Sequence, residues 1–405
     1  MRCCILPFIL EKPISQEATA LLFARFGPGP APQTISVPGR VNLIGEHIDY
    51  HNLPVLPMAI QRRIWIAFRS QEESCVRAIS SGDFGDREFP LGDRLEPSSS
   101  GDWANYLKAA VEAVRRRWKL SQGIHAAIAS DLPPAAGLSS SSALLAGFTI
   151  ALLQANGISP TVAELMEVLP EGEHFVGTRG GGMDHAAVLA ARRECALLVN
   201  FEPLVLSSIP IPADWRFLVA HSLTTAEKSG AARSRYNALR LAGTRAIEKL
   251  GLASYRSATE RHSLPELTAL ADGRGRDSLD EFELRCFLHV VSEAFRVRQG
   301  VAALRDGDAA VFGQLLLASH ESLRERLQVS SPALDRLVEL SMDAGALGAR
   351  LTGAGFGGCA VILCKGVDLD RIQSELVNRY YAKHAGFDAE QHLMIVEPSA
   401  GTLSE

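Results

Sequence analysis

The segment Leu132-Pro133-Pro134-Ala135-Ala136-Gly137-Leu138-Ser139-Ser140-Ser141-Ser142-Ala143 constrains this chain more than any other. It joins an apolar run, Ile124 to Ala129, that reads as a strand to an apolar stretch, Leu144 to Gln154, that reads as a helix. A glycine-bearing loop opening into a helix aims unpaired N–H groups and the positive end of the helix dipole at one point. That arrangement is an anion site, and the serine hydroxyls add donors or a ligand for Mg2+. A linker with serine N-caps fits the same residues, and the segment alone leaves both readings open.

Two further stretches carry chemistry-bearing side chains on flexible backbone. In Pro38-Gly39-Arg40-Val41-Asn42-Leu43-Ile44-Gly45-Glu46-His47-Ile48-Asp49-Tyr50, four ionisable groups sit among apolar ones. Carboxylates accept hydrogen bonds from polyol hydroxyls while Arg and His donate them, so the cluster suits sugar recognition; a salt-bridged turn between two strands is the alternative. In Gly177-Thr178-Arg179-Gly180-Gly181-Gly182-Met183-Asp184-His185, consecutive glycines let backbone approach a ligand, and Asp184 stands at the start of a short apolar segment. A carboxylate there could accept a hydroxyl proton, or serve only as a helix-start acid.

A fourth glycine cluster, Gly353-Ala354-Gly355-Phe356-Gly357-Gly358, formally contains G-x-G-x-x-G. Dinucleotide sites need a strand before this motif and a helix after it, whereas Cys359 to Cys364 reads as a strand that follows it. A Rossmann site is therefore a poor reading. G-x-x-x-x-G-K-[ST] does not occur, which excludes a P-loop.

A chain of 405 residues exceeds one ordinary core, so two domains are expected, 1–205 and 206–405, parted near Pro203 to Pro212. The first half reads as α+β, with Ile64 to Phe68 as a strand. In the second half, Leu279 to Arg305 and Asp308 to Gln328 read as helices, a further helix starts at Ser331-Pro332, and His392 to Val396 reads as a strand. With 41 Lys and Arg against 46 Asp and Glu, the net charge of -5 implies no attraction to nucleic acid or anionic membranes. Seven scattered cysteines without a C-x-x-C pair disfavour a zinc site or disulfide framework. The apolar opening, Cys3 to Leu10, is too short for a signal core, and no stretch reaches membrane-spanning length, so a cytoplasmic protein is expected.

Taken together, these motifs resemble the three signatures of the galactokinase branch of the GHMP small-molecule kinases. Gly39 to Tyr50, continuing to Ile60, resembles the galactokinase signature; Leu132 to Ala143 resembles the phosphate loop; Gly348 to Cys359 resembles the third motif. Similarity also appears at Trp103 to Lys108 and at Ser319 to Arg324. The resemblance implies two α+β domains with the active site in the cleft between them, ATP and Mg2+ as cofactors, a small-molecule sugar substrate, and a monomer. It implies further that Glu46, His47 and Asp49 hold sugar hydroxyls, with Gly181 backbone and Tyr236. Arg40 and Asp184 would flank the attacking hydroxyl. Gly137, Leu138, Ser139, Ser140 and Ser141 would wrap the ATP phosphates, Ser140 or Ser141 with Glu173 would lie near Mg2+, and Trp103 by the adenine.

The activity implied is transfer of the ATP γ-phosphate to the C1 hydroxyl of galactose. Gly180-Gly181-Gly182 stands where many galactokinases carry Cys-Gly-Ile, and His185 replaces the usual glutamine. That leaves N-acetylgalactosamine kinase as an alternative, and a catalytically silent sugar and ATP sensor as another. Mevalonate or homoserine kinases fit less well, because their carboxylate substrates want cations where Glu46 and Asp49 stand. Pro170 and Gly172 are expected to interrupt the helix that carries Glu173.

Overall fold

The computed structural model describes residues 13–82, 84–92, 94–224, 230–275 and 278–404. Cys3 to Leu10 lies outside them. The first domain is built on a five-stranded sheet of order β1-β2-β5-β3-β4, with β1 Gln33–Ile44, β2 Leu56–Gln71, β3 Cys75–Ser80, β4 Asp86–Pro90 and β5 Gly123–Ser130. All pairs are antiparallel except β3 with β5. Helix α1 (Ile14–Phe26) lies against β2 and β5, while α2 (Ala104–Arg115), α3 (Ser140–Ala155), α4 (Val162–Phe175) and α5 (Met183–Ala190) layer the domain.

Helix α3 is apolar on nearly every side and correspondingly buried, as a helix covered all round must be. Gly147 allows that burial: a Cβ there would stand 2.7 Å from Val37 on β1, so the helix lies against the sheet only because the position is bare. Helix α4 runs unbroken through Pro170, contrary to the expected interruption. Proline gives up its N–H bond there, and Gly172 lets α4 close on α2, where a Cβ would come 3.3 Å from the Ala109 carbonyl. Packing against α2 and α3 outweighs the local propensity.

Hairpin β6 (Cys195–Phe201) and β7 (Leu204–Pro210) follows, bridged to the first domain through Val55 and Val199. Residue 205, where the sequence suggested a division, lies inside β7. Strand β8 (Trp215–His221) then enters a second sheet of order β11-β8-β10-β9, with β9 Gly348–Thr352, β10 Cys359–Lys365 and β11 Leu393–Val396. Its helices are α6 (Gly230–Lys249), α7 (Tyr255–Arg261), α8 (Leu264–Leu270), α9 (Glu281–Asp306), α10 (Ala309–Ser322), α11 (Pro332–Asp343) and α12 (Leu369–Arg379). The helix expected to reach Gln328 ends at Ser322 in one wider turn, Leu323–Leu327, before Gln328 turns left-handed with φ 55°.

Alternation along the second sheet separates two apolar layers. Phe217, Val219, Val361 and Leu363 face the core shared with the first domain, whereas Leu218, Ala220, Ile362 and Cys364 pack with Leu337 of α11 and Ile372 of α12. The last described residues return to the first domain: Ser399 N–H donates to the Ala59 carbonyl, Gly401 to Ala191 and Thr402 to Val188. Among the described residues, no helix is long and apolar enough to cross a membrane.

Candidate active site

The glycine-rich segments converge on one cleft, lined from both domains. Their glycines sit where backbones meet. A Cβ on Gly181 would lie 2.2 Å from the Asp49 carbonyl carbon, so the Gly180–Gly182 turn can dock on the segment after β1 only without a side chain. Similarly, a Cβ on Gly353 would stand 2.9 Å from the Gly137 carbonyl. The four segments are therefore in backbone contact, since a Cβ on Gly39 would also stand 2.9 Å from the Leu138 carbonyl and so links the two pairs.

Asp184 is the second residue of α5, which starts at Gly182 with φ 101° and no side-chain cap. Its carboxylate accepts from Arg40 Nε at 2.7 Å and Ser139 Oγ at 2.6 Å. A second guanidinium nitrogen of Arg40 donates to the Gly137 carbonyl at 2.6 Å, and the Arg40 N–H donates to the Leu138 carbonyl. Arg40 is 5% exposed and Asp184 26%, so the pair opens toward the cleft on the carboxylate side. Burial opposes the charge on Arg40, but the Asp184, Glu46 and Asp49 carboxylates outweigh it and raise its pKa.

The loop before α3 ends at Ser139, which is left-handed with φ 61° and makes no capping bond with its side chain. Helices α4, α7, α8, α9, α10 and α11, by contrast, are capped by the side chains of Thr161, Ser254, Ser263, Asp280, Asp308 and Ser331. The Ser139 hydroxyl thus goes to Asp184 and not to the first turn of α3, whose positive dipole end stands beside the cleft and favours an anion. Gly137, Ser139 and Ser141 line the cleft; Leu138 and Ser140 do not. Helical periodicity explains this, because Ser142 stands three residues beyond Ser139 and shares its face, while Ser140 is turned aside. Ser142, which the sequence reading missed among four identical neighbours, donates to Glu173 Oε1 at 2.8 Å and lies 3.4 Å from Asp184 Oδ2.

Glu173 also faces His185, whose Nε2 is 3.3 Å from Glu173 Oε1 without hydrogen-bond geometry. A hydroxyl beside a carboxylate is a hard oxygen donor set, suited to Mg2+ shared with phosphates. Among the described residues no three His, Cys, Asp or Glu side chains converge to hold a metal on their own. Ser142 is thus the serine that bonds Glu173, while Ser141, expected with Ser140 near the metal, lines the same cleft.

On the opposite wall, Glu46 is 2% exposed and accepts from Arg350 at 2.7 Å, from the Gly353 N–H at 2.7 Å and from the Asn42 amide. Burial raises its pKa against the pull of Arg350 and Arg40. Glu46 therefore pins the first motif to the third as well as lining the cleft. His47, at φ 60°, bonds the Ala354 carbonyl through Nε2 at 3.1 Å and the Tyr50 hydroxyl through Nδ1 at 3.1 Å. A carbonyl only accepts, so the proton is assigned to Nε2. Burial lowers this imidazole to about 4 and keeps it neutral. Asp49 accepts the Gly181 N–H at 3.1 Å. The Tyr236 ring on α6 packs 5.3 Å from His47 and 5.5 Å from Tyr50 and lines the same wall.

Trp103 is not in the cleft lining. Its indole N–H donates to the Phe84 carbonyl at 2.9 Å, and its ring is packed in the core under Arg87. Tyr106, one turn further along α2, lines the cleft instead. Arg233 of α6 also lines it and donates to the Val176 carbonyl.

Comparison with known proteins agrees with this geometry. The galactokinase galactose-binding signature matches residues 23–70, the GHMP kinases N terminal domain 105–192, and the GHMP kinases C terminal domain 301–383. A galactokinase of Roseiflexus sp. is 35% identical over 360 residues, covering 86% of this chain and 87% of the relative. The galactokinase of Bos taurus is 34% identical over 373 residues, covering 90% and 92%. The crystal structure of Lactococcus lactis galactokinase complexed with galactose superposes with a TM-score of 0.84 at 26% identity, covering 95% and 97%. Mevalonate kinase of L. major, at 20% identity and a TM-score of 0.58 over 92% and 99%, shares the fold.

Proposed function

The chain belongs to the galactokinase family, and we propose that its cleft moves the γ-phosphoryl group of ATP to the C1 hydroxyl of galactose, giving galactose 1-phosphate and ADP. What supports this reading most is the placement of Asp184: it is held by Arg40 and Ser139 at the uncapped start of α3, directly across from Glu46 and Asp49. An acceptor for a hydroxyl proton, a phosphate cradle and a polyol-binding wall then face one space.

In this mechanism the C1 oxygen bonds to the γ-phosphorus as the bond from that phosphorus to the ADP oxygen breaks, and the hydroxyl proton passes to the Asp184 carboxylate. Arg40 orients that carboxylate and stabilises charge on the transferring group. The α3 N-terminus and the Gly137–Ser141 loop bind the phosphates, while Asp49, Glu46, His47, Tyr236 and the Gly181 backbone orient the sugar. Ser142 and Glu173 would hold Mg2+, which when bound neutralises charge on the terminal phosphates.

Coupled ADP release should be seen with galactose, tested beside N-acetylgalactosamine, glucose and arabinose. Asp184→Asn, which keeps an acceptor for Arg40 but loses the base, should lower turnover ~10²- to 10⁴-fold. No ADP release with any of these sugars, or near-native turnover in both Asp184→Asn and Asp184→Ala with folding intact, overturns the reading.

A further inference from the structure

Behind the sugar-facing wall, two polar side chains reach the backbone of the Gly45–Glu46 turn from α9. His289 and Glu293 stand one helical turn apart, so they share a face, and both are fully buried. His289 Nε2 lies 3.0 Å from the Glu46 carbonyl and Nδ1 2.9 Å from Ser322 Oγ. The carbonyl can only accept, so Nε2 carries the proton and the Ser322 hydroxyl donates to Nδ1. Glu293 accepts the Gly45 N–H at 2.9 Å, Ser319 Oγ at 2.7 Å and Arg296 Nε at 2.7 Å. Two peptide groups of the turn, Ile44–Gly45 and Glu46–His47, are thus held by one helix, and both anchors are backed by serines of α10.

The turn needs such anchoring. Gly45 has φ 108° and His47 φ 60°, so the segment carrying Glu46, His47 and Asp49 leaves the strand in a conformation that other residues disfavour. A Cβ on Gly45 would stand 3.0 Å from Val55 Cα, so the turn is also wedged against the start of β2. Stability alone would be served as well by apolar packing, since well-packed hydrophobic residues commonly replace buried ionic groups without loss. An imidazole and a carboxylate instead fix the turn by direction as well as by volume.

Resting on the sugar-kinase reading, we propose that His289 and Glu293 are positioning residues for sugar recognition: they hold the Gly45–Glu46 backbone so that Glu46, His47 and Asp49 meet the sugar hydroxyls in one preset geometry. Neither touches the ligand. Their effect falls on sugar affinity, because a displacement of about 1 Å in a binding group can cost ~10²-fold, while the phosphate loop is held by Arg40 and Asp184, away from the Gly45–Glu46 turn.

The test compares wild type, His289→Leu, His289→Gln and Ser322→Ala by calorimetric titration of galactose and of ATP, with kcat at saturating sugar and the unfolding midpoint. His289→Leu strips the Glu46 carbonyl of its donor, and galactose affinity should fall ~10- to 100-fold. ATP affinity and kcat should stay within about threefold. His289→Gln, whose amide N–H can reach the place of Nε2, should restore most of the galactose affinity, and Ser322→Ala should weaken it by roughly three- to tenfold. If His289→Leu does not fold, the Gln and Ala variants decide. Unchanged galactose affinity with a lowered midpoint, or equal losses in galactose, ATP and kcat, would falsify the proposal. Wild type that binds no galactose would overturn the functional reading and this proposal together, whereas a variant-only failure touches this proposal alone.

Discussion

The Gly181 N–H donates to the Asp49 carboxylate at 3.1 Å, joining the turn that carries Asp184 to the segment that carries the sugar-facing side chains. One carboxylate thereby belongs to both walls of the cleft, and its protonation state bears on both.

Burial, with the Asp184 and Glu46 carboxylates nearby, pushes the Asp49 carboxyl up to about 7. The Arg40 guanidinium and the Tyr236 phenol also interact with it. The unfolded chain loses this proton near the ordinary value of 3.8, the folded chain only near 7. Between those values the folded state binds more protons, so stability is lost as pH rises through this window and the loss is complete above about 7. Asp49→Asn removes the effect, and its unfolding midpoint relative to wild type should climb from about pH 4 to about pH 7 and then level. Galactose, whose hydroxyls donate to the ionised form, should bind wild type more tightly as pH rises through about 7, and Asp49→Asn should lack that slope. A flat wild-type binding profile across this range refutes the assignment.

Ser142 and Ser140 should separate cleanly. Ser142→Ala removes the hydroxyl beside Glu173 and should raise KM for the metal–nucleotide complex by roughly tenfold, with a parallel loss of Mn2+ affinity in the nucleotide-bound protein. Ser140→Ala, whose hydroxyl is outside the cleft lining, should change neither by more than about twofold. Equal effects of the two substitutions would contradict the assigned geometry.

That distinction shows where the sequence stopped being informative. The strand–loop–helix at Ile124 to Gln154 was legible because apolar runs flank a glycine loop, and the loop's chemistry followed from the helix start. Which of four consecutive serines is turned aside from the cleft depends on the residue at which α3 begins, and no local pattern marks it. The surroundings of Trp103 were hidden for a related reason: an aromatic near a nucleotide motif carries no sign that its indole N–H is taken by the Phe84 carbonyl. The anchors His289 and Glu293 were hidden because their partners are backbone groups more than 240 residues upstream, reachable only through tertiary packing. Pro170 misled through propensity, which the contact between α4 and α2 overrides.

Arg350 is fully buried, spans from β9 to Glu46 and also donates to the carbonyls of Asn42 and Leu43. Arg350→Met should destabilise by roughly 3–5 kcal/mol, since it leaves the Glu46 carboxylate without its cation. Adding Glu46→Gln should recover part of that loss in chemical denaturation while galactose binding stays impaired. No recovery in the double variant would show that the ion pair is not what Arg350 contributes.

The strap formed by residues 399–402 has a consequence for biosynthesis. Ala191 and Val188 receive their partners only after 210 and 214 further residues have been translated, and Ala59 after 340, a delay on the order of 10–70 s at ordinary elongation rates. The nascent first domain must wait on the ribosome with the Ala59 end of β2, beyond its pairing with β5, open, and it becomes whole only when the closing segment emerges. A premature stop late in the message would then wound the part of the molecule that was made first.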